Sequence, residues 1–232
     1  HHVKIISKQE FWDALPDVMY HMDEPLADAS AVALYFLSKE AAGHVKVVLS
    51  GEGADELFGG YNIYREPESL KKIAWIPFGV RRVIGKLAAK LPDVKGRDFL
   101  IRAGMKVEER FIGNAYIYRE KEKAQILKNK VTGPSTQEYL RPFFKELESE
   151  NRGSLRDMEK MQSVDLRYWL PGDILQKADK MSMAHSLEVR VPFLDKEVFD
   201  FAAKLPKEAK IAAGTTKYIF RKAVSEFLPQ ET

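Results

Sequence analysis

The stretch that most restricts how this chain can fold is residues 45–61. Val45-Lys46-Val47-Val48-Leu49 is a short, valine-rich apolar run that stops at Ser50-Gly51-Glu52-Gly53. Such a run predicts a buried, parallel strand. The residues before it supply the rest of an α/β pattern. Val3-Lys4-Ile5-Ile6 reads as a short strand. Ser7 is placed to cap a helix with apolar positions Phe11, Leu15, Val18, Met19 and Met22, and Pro16 is expected to kink or split it. A loop at Asp23-Glu24-Pro25 leads to a second helix, capped by Asp28 or Ser30, running through Leu34 and Leu37 and stopping at Gly43. Strand, helix, helix, strand is the order of an α/β sheet.

After Tyr61 the strand signals end. Residues 62–170 read as helices and loops, with turns at Pro92-Asp93, Lys95-Gly96 and Gly133-Pro134. Leu155, Met158, Met161, Val164 and Tyr168 form a helical stripe ending at Pro171-Gly172. The expectation is one α/β domain over residues 1–232, with a partial parallel sheet flanked by helices and a C-terminal two-thirds that is mostly helical.

Composition narrows the chemistry. Among 232 residues there is no cysteine, which removes disulfides, thiolate catalysis and cysteine-bound zinc, and fits a cytoplasmic protein. The chain has no apolar stretch of the roughly 20 residues a membrane helix needs, so no membrane partner is expected. The net charge of +3 is nearly balanced, but residues 71–97 hold Lys71, Lys72, Arg81, Arg82, Lys86, Lys90, Lys95 and Arg97 against Asp93 alone. Without interleaved stacking aromatics, that run reads as a solvated helix face, and no nucleic acid partner is expected.

Three stretches carry the candidate chemistry. The first, Ser50-Gly51-Glu52-Gly53-Ala54-Asp55-Glu56-Leu57-Phe58-Gly59-Gly60-Tyr61, follows the strand directly. Ligands of open parallel sheets bind beyond the carboxyl ends of strands. Gly51 and Gly53 permit tight turns and close backbone approach, and the next helix would turn its N-terminus toward an anion. Glu52, Asp55 and Glu56 beside such a loop suggest a magnesium bridge to phosphate. The same residues also suit a plain capped helix start.

The second stretch runs from Asp173 to Asp195. Asp173, Lys177 and Lys180 fall on neighbouring helical turns. If residues 187–191 are extended, Leu187, Val189 and Val191 point one way while Glu188 and Arg190 point the other, as a surface ion pair or as a pair facing a cleft. His185 reads as packing. In the third stretch Ile219, Phe220, Ala223, Val224 and Phe227 are expected to bury one helix face, with Lys217 and Arg221 together on another. Two cations at that spacing repel by roughly 0.2–0.5 kcal/mol. Bound polyphosphate would reverse the sign.

Taken together, these stretches resemble the asparagine synthetase family. Residues 50–61 are similar to its Ser-Gly-Glu-Gly-x-Asp-Glu-x-Phe-Gly-Gly-Tyr motif. Residues 179–195 resemble its Asp-Lys-Met-Ser-Met-Ala-His-x-Leu-Glu-x-Arg-x-Pro-Phe-Leu-Asp run. Asp23-Glu24-Pro25-Leu26-Ala27-Asp28, Ser30, Lys217 and Arg221 are also similar, and the likeness is loosest over 62–150. The resemblance implies the ATP-pyrophosphatase (adenine-nucleotide α-hydrolase-like) fold and a ligase using ATP and Mg²⁺. Aspartate would be adenylated to β-aspartyl-AMP, then attacked by ammonia released from glutamine in a separate N-terminal glutaminase domain. It implies ATP contacts at Ser50, Gly51 and Gly53, with pyrophosphate contacts at Lys217 and Arg221. Glu52 matches a glutamate needed for adenylation, Asp55 a magnesium ligand, and Lys180, Glu188 and Arg190 the aspartate and acyl-adenylate pocket. A homodimer is compatible with it.

One family element, the pyrophosphate loop Ser-Gly-Gly-x-Asp-Ser, does not occur in this sequence. The expectation is therefore a domain truncated at its N-terminus and inactive alone. The alternatives are a relative adenylating another acid, such as a β-lactam synthetase, which tends to carry tyrosine at the position of Glu52, and a non-catalytic paralogue or regulatory module.

Overall fold

A computed structural model describes residues 1–26, 28–114, 118, 120–129, 133–151 and 155–229. In chain order its elements are α1 (Lys8–Met22), α2 (Ser30–Ala42), β1 (Val47–Leu49), α3 (Ala54–Phe58), α4 (Glu66–Lys71), α5 (Phe78–Ala88), α6 (Arg97–Ala103), α7 (Val107–Arg110), α8 (Glu120–Ile126), α9 (Thr136–Glu150), α10 (Asp157–Val164), α11 (Gln176–Met183), β2 (Glu188–Arg190), α12 (Lys196–Lys204), α13 (Lys207–Lys210) and α14 (Tyr218–Val224). Short 3₁₀ turns occupy Asn62–Arg65 and Pro192–Leu194, and a π-helical segment, Asp165–Leu175, leads into α11. The chain divides into two compact units, residues 1–58 with 166–206 and residues 59–165 with 207–232.

The first unit is built on α1, α2 and α11. Ser7 caps α1 as its sequence predicts. Its hydroxyl accepts from the Glu10 amide (3.2 Å), while the Ser7 amide donates to the Glu10 carboxylate (2.8 Å). This reciprocal pair satisfies two amides that a helix start leaves open. Ala14, Val18 and Met22 recur every four residues and pack with Ala31, Val32 and Met181 as a buried cluster, with Phe11 and Leu15 at its margin. Met19, one residue off that row, is exposed. Pro16 does not split the helix. The carbonyl that it deprives of a donor belongs to Trp12, which is itself solvent-exposed, so water can take the bond.

Other local expectations are revised. The second helix begins at Ser30 with Ala29 as its cap residue, although the Asp28 carboxylate accepts the Ser30 amide at 2.9 Å. Ala27 lies outside the described residues. Residues 3–6 form no strand. Among the described residues no strand pairs with them, and Ile5 is 82% exposed. The helical stripe does not end at Pro171-Gly172 either, because the π-helical segment carries the chain through both residues. Its wider turn distances Pro171 from the carbonyl four residues back, the clash that stops an ordinary α-helix.

The sheet consists of β1 and β2 alone among the described residues, parallel, with Val47 opposite Glu188, Val48 opposite Val189 and Leu49 opposite Arg190. The parallel pairing agrees with the sequence reading; the burial does not. Only Val48 is half-buried, and Leu49 is 73% exposed. A two-stranded ladder leaves each strand one free edge, so an apolar run alone cannot enclose itself.

In the second unit, α5 and α6 pack as a hairpin at backbone contact. A Cβ on Gly104 would come within 2.6 Å of the Arg81 carbonyl oxygen, so glycine is required there. The Asp165 carboxylate is fully buried and accepts from the Tyr64 hydroxyl (2.6 Å), the Asn114 amide (3.1 Å) and Asn114 Nδ2 (2.7 Å). That set ties the 3₁₀ turn to the end of α10. The basic run of 71–97 is partly spent on structure. Arg81 donates to the carbonyls of Ile76 and Ala103, Arg82 pairs with Glu109, Lys71 with Glu68, and Arg97 lies beside Asp93 and Asp98. No helix among the described residues is long and apolar enough to cross a membrane.

Candidate functional site

The first and second motifs meet on the β1–β2 ladder. The ladder continues past Leu49, where the Ser50 amide donates to the Arg190 carbonyl at 2.9 Å. The loop at 50–53 therefore leaves the sheet beside the end of β2, the strand that carries Glu188 and Arg190. Within the loop the Ser50 hydroxyl donates to the Glu52 carboxylate. Gly53 adopts φ +88°, and a Cβ there would collide with the Leu194 side chain. Glycine at 53 is thus demanded by the fold. At Gly51 a Cβ would meet no protein atom within 4 Å. A glycine that the protein does not need for its own packing leaves room for a ligand to reach the backbone.

The helix that follows is a single turn, α3, so its dipole is weaker than the motif suggests. Glu52 and Asp55 are half-buried and remain reachable from solvent, while Glu56 is only 1% exposed. Two solvent-reachable carboxylates are hard oxygen donors of the kind Mg²⁺ takes, together with phosphate oxygens and water. The donor chemistry of Glu52 and Asp55 therefore fits that ion.

On β2 the alternation holds. Leu187 is buried, Val189 is half-buried, and Glu188 and Arg190 are exposed side by side, with Arg190 Nε donating to Glu188 Oε1 at 2.8 Å. An exposed pair of this kind adds little stability, and both side chains are free to turn to a partner. Lys180, on α11, pairs with Asp23, whose left-handed backbone (φ 63°) ends α1. That pairing raises the Lys180 pKa and lowers that of Asp23. His185 is packing, as its isolation in sequence suggests. Its ring lies 4.4 Å from that of Tyr35, and burial lowers its pKa.

One cluster escapes sequence reasoning. The Lys177 side chain, 6% exposed as a residue, is held between the carboxylates of Asp28 and Asp173, the latter at 3.0 Å, with the Trp169 ring 5.9 Å from its nitrogen. Burial disfavours the charged ammonium, yet the two carboxylates outweigh it and raise the Lys177 pKa. Burial also raises that of Asp173. The spacing of Asp173 and Lys177 was legible. Asp28, 149 residues away from Lys177, was not.

Lys217 and Arg221 belong to the second unit. Lys217 is the cap residue of α14, held in the left-handed region at φ 50° and ψ 36°. Arg221 Nε donates to the Thr216 carbonyl at 3.0 Å. The expected buried face is also absent, since α14 spans only Tyr218–Val224. Ile219 and Phe220 are half-buried, Ala223 is exposed, and Phe227, beyond the helix, is 84% exposed. Seven residues make barely two turns, too short to present a continuous stripe. Two open cavities of this unit, about 460 and 530 Å³, are lined by Arg82, Glu108 and Arg141 and by Arg65, Lys72 and Lys207 among others, and neither Lys217 nor Arg221 lines them.

Within a mostly helical chain, a glycine-acid loop leaves a small parallel sheet beside a Glu-Arg pair, the position at which open α/β sheets bind ligands. Residues 1–232 match the asparagine synthase family, and the chain belongs to that family. It is 50% identical over 228 residues to glutamine-hydrolysing asparagine synthetase 1 of Bacillus subtilis, an alignment covering 98% of this chain and 35% of that protein. It is 45% identical over 230 residues, 99% of this chain and 34% of the other, to a Mycobacterium tuberculosis protein provisionally named a glutamine-hydrolysing asparagine synthetase. The chain thus spans about a third of the length of these curated relatives.

Proposed function

We propose that this chain forms much of the ATP-dependent half of an asparagine-forming ligase, on an adenine-nucleotide α-hydrolase fold. The observation that carries the reading is the ladder junction. Two family motifs more than a hundred residues apart converge where Ser50 bonds to Arg190.

In the proposed reaction the side-chain carboxylate of aspartate attacks the α-phosphorus of ATP. The bond to the β-phosphate breaks, and β-aspartyl-AMP and pyrophosphate form. Ammonia then attacks the acyl carbon, loses a proton and displaces AMP, leaving asparagine. Ser50, Gly51 and Gly53 bring backbone close to ATP, and Gly51 does so without a packing role of its own. Arg190 and Lys180 offer cations to the carboxylates of aspartate. Glu188, which accepts from Arg190 Nε at 2.8 Å, offers an acceptor to the substrate's ammonium. Glu52 is the acid on which adenylation depends, and its link to Ser50 holds it beside the loop. Asp55, with Glu52 nearby, would hold Mg²⁺, which when bound neutralises phosphate charge. The resemblance to the family assigns Lys217 and Arg221 to the leaving pyrophosphate, whose developing negative charge cations stabilise.

The relatives' names call them glutamine-hydrolysing, and glutamine is proposed here as the nitrogen donor, through a glutaminase domain of the parent protein. The test uses the full-length parent with aspartate, ammonia, ATP and Mg²⁺, following pyrophosphate and asparagine. Both products are expected, and Glu52→Ala should abolish both. Absence of pyrophosphate from the wild-type protein, or full activity in Glu52→Ala, overturns the reading. Pyrophosphate that depends on another acid selects a different carboxylate substrate.

A further inference from the structure

We propose that His2, Glu40 and His44 form a binding site for a borderline divalent metal ion of the zinc class, separate from the candidate site above. Their ligand atoms all lie within 4.8 Å of one another. Glu40 sits in the last turn of α2 and His44 four residues on, just past the Gly43 cap, with His44 Nε2 3.5 Å from Glu40 Oε1. Four-residue spacing places two side chains on one side of a helix. His2 arrives from the segment ahead of α1, and its ring centroid lies 4.8 Å from that of His44, tilted by 43°.

Donors bound to one tetrahedral zinc ion, at about 2.0–2.2 Å from the metal, stand about 3.4 Å from each other. The Glu40–His44 separation already meets that spacing. His2 has to close the remaining distance, and all three residues are exposed, so their side chains have room to adjust. Two imidazoles and one carboxylate suit zinc, cobalt or nickel rather than magnesium or calcium, which prefer oxygen donors throughout. The set leaves at least one position for water.

The site has a structural consequence. Residues 1–6 make no strand pairing, and Lys4 attaches them through its ion pair with Glu10 and its position 5.7 Å from the centre of the Phe36 ring. A metal bridging His2 to the end of α2 would clip this segment to the helix at a second point.

The test is metal binding to the chain without any polyhistidine tag. Zn²⁺ is titrated in competition with a chromophoric chelator, and Co²⁺ is used as a spectroscopic probe of coordination. The expected result is a single Zn²⁺ equivalent lost in His44→Ala and in His2→Ala, and weakened at least tenfold in Glu40→Gln. Far-UV circular dichroism checks that these surface variants remain folded. Hydrogen exchange at residues 3–6 should slow on adding Zn²⁺ to the wild-type chain and not to His2→Ala. No stoichiometric uptake, or equal uptake by wild type and both histidine variants, overturns the proposal and leaves the trio as a helix ion pair with a stacked ring.

Discussion

Gly53 and Gly51 separate what the fold requires from what a ligand would require. At Gly53 the φ of +88° opposes any side chain, and a Cβ would lie 2.8 Å from Leu194 Cγ and closer still to Cδ2. Forcing an L-residue into the left-handed region costs about 1–2 kcal/mol. Overpacking adds about 1–3 kcal/mol, at the low end here because Leu194 is half-buried in a short turn and can move. Gly53→Ala should therefore destabilise the first unit by about 2–4 kcal/mol. At Gly51 the space is open, and losing a glycine from the unfolded chain stabilises by up to about 1 kcal/mol.

The assay is urea unfolding followed by tryptophan fluorescence in a Trp75→Phe background, which leaves Trp12 and Trp169, both in the first unit. A double-mutant cycle isolates the collision. Gly53→Ala should cost at least about 0.5 kcal/mol less when Leu194 is already alanine. In the full-length protein, Gly51→Ala should raise the KM for ATP while leaving stability intact. Equal stability changes at the two glycines, or no coupling to Leu194, would refute the reasoning.

Other consequences are as direct. Lys177→Met strands two carboxylates, Asp28 and Asp173, and should destabilise by an amount near the low end of the about 3–5 kcal/mol seen for broken buried pairs, because Asp28 still reaches solvent; urea titration within 1 kcal/mol of wild type would contradict this. The Lys4 ammonium, helped by the Ser7 cap, lowers the Glu10 pKa to about 2. Since that value lies below the unfolded one of about 4.3, the contribution is complete above it and is lost as pH falls toward 2. Carboxyl titration by NMR checks this, and an ordinary midpoint for Glu10 would disprove it. Lys217→Gly should relieve left-handed strain and raise thermal stability, by up to about 1–2 kcal/mol, while slowing turnover of the full-length protein. A stability loss would show that the left-handed backbone at Lys217 is not strained, and unchanged turnover that Lys217 has no part in the reaction.

Much of this was legible in the sequence because it is local. The Ser7–Glu10 cap, the α1 row of apolar residues, the strand feeding Ser50 and the in–out alternation of residues 187–190 depend on neighbours within a few residues. The family motifs were legible for the same reason, since each is one continuous stretch. Errors arose where the outcome depends on a distant partner. Residues 3–6 and β1 have strand composition, but burial depends on what lies beside a strand, and among the described residues β1 pairs with β2 alone and residues 3–6 pair with no strand. Pro16 and Pro171 looked like breaks, yet solvent at Trp12 and a widened turn at 165–175 absorb them. Asp28 read as a helix cap, and only folding brings it to Lys177. Sequence by itself determined which residues carry charge, which can turn and which local elements they build. The tertiary structure decided which of them meet, above all Ser50 with Arg190, because a parallel ladder joins residues by register and not by their distance along the chain.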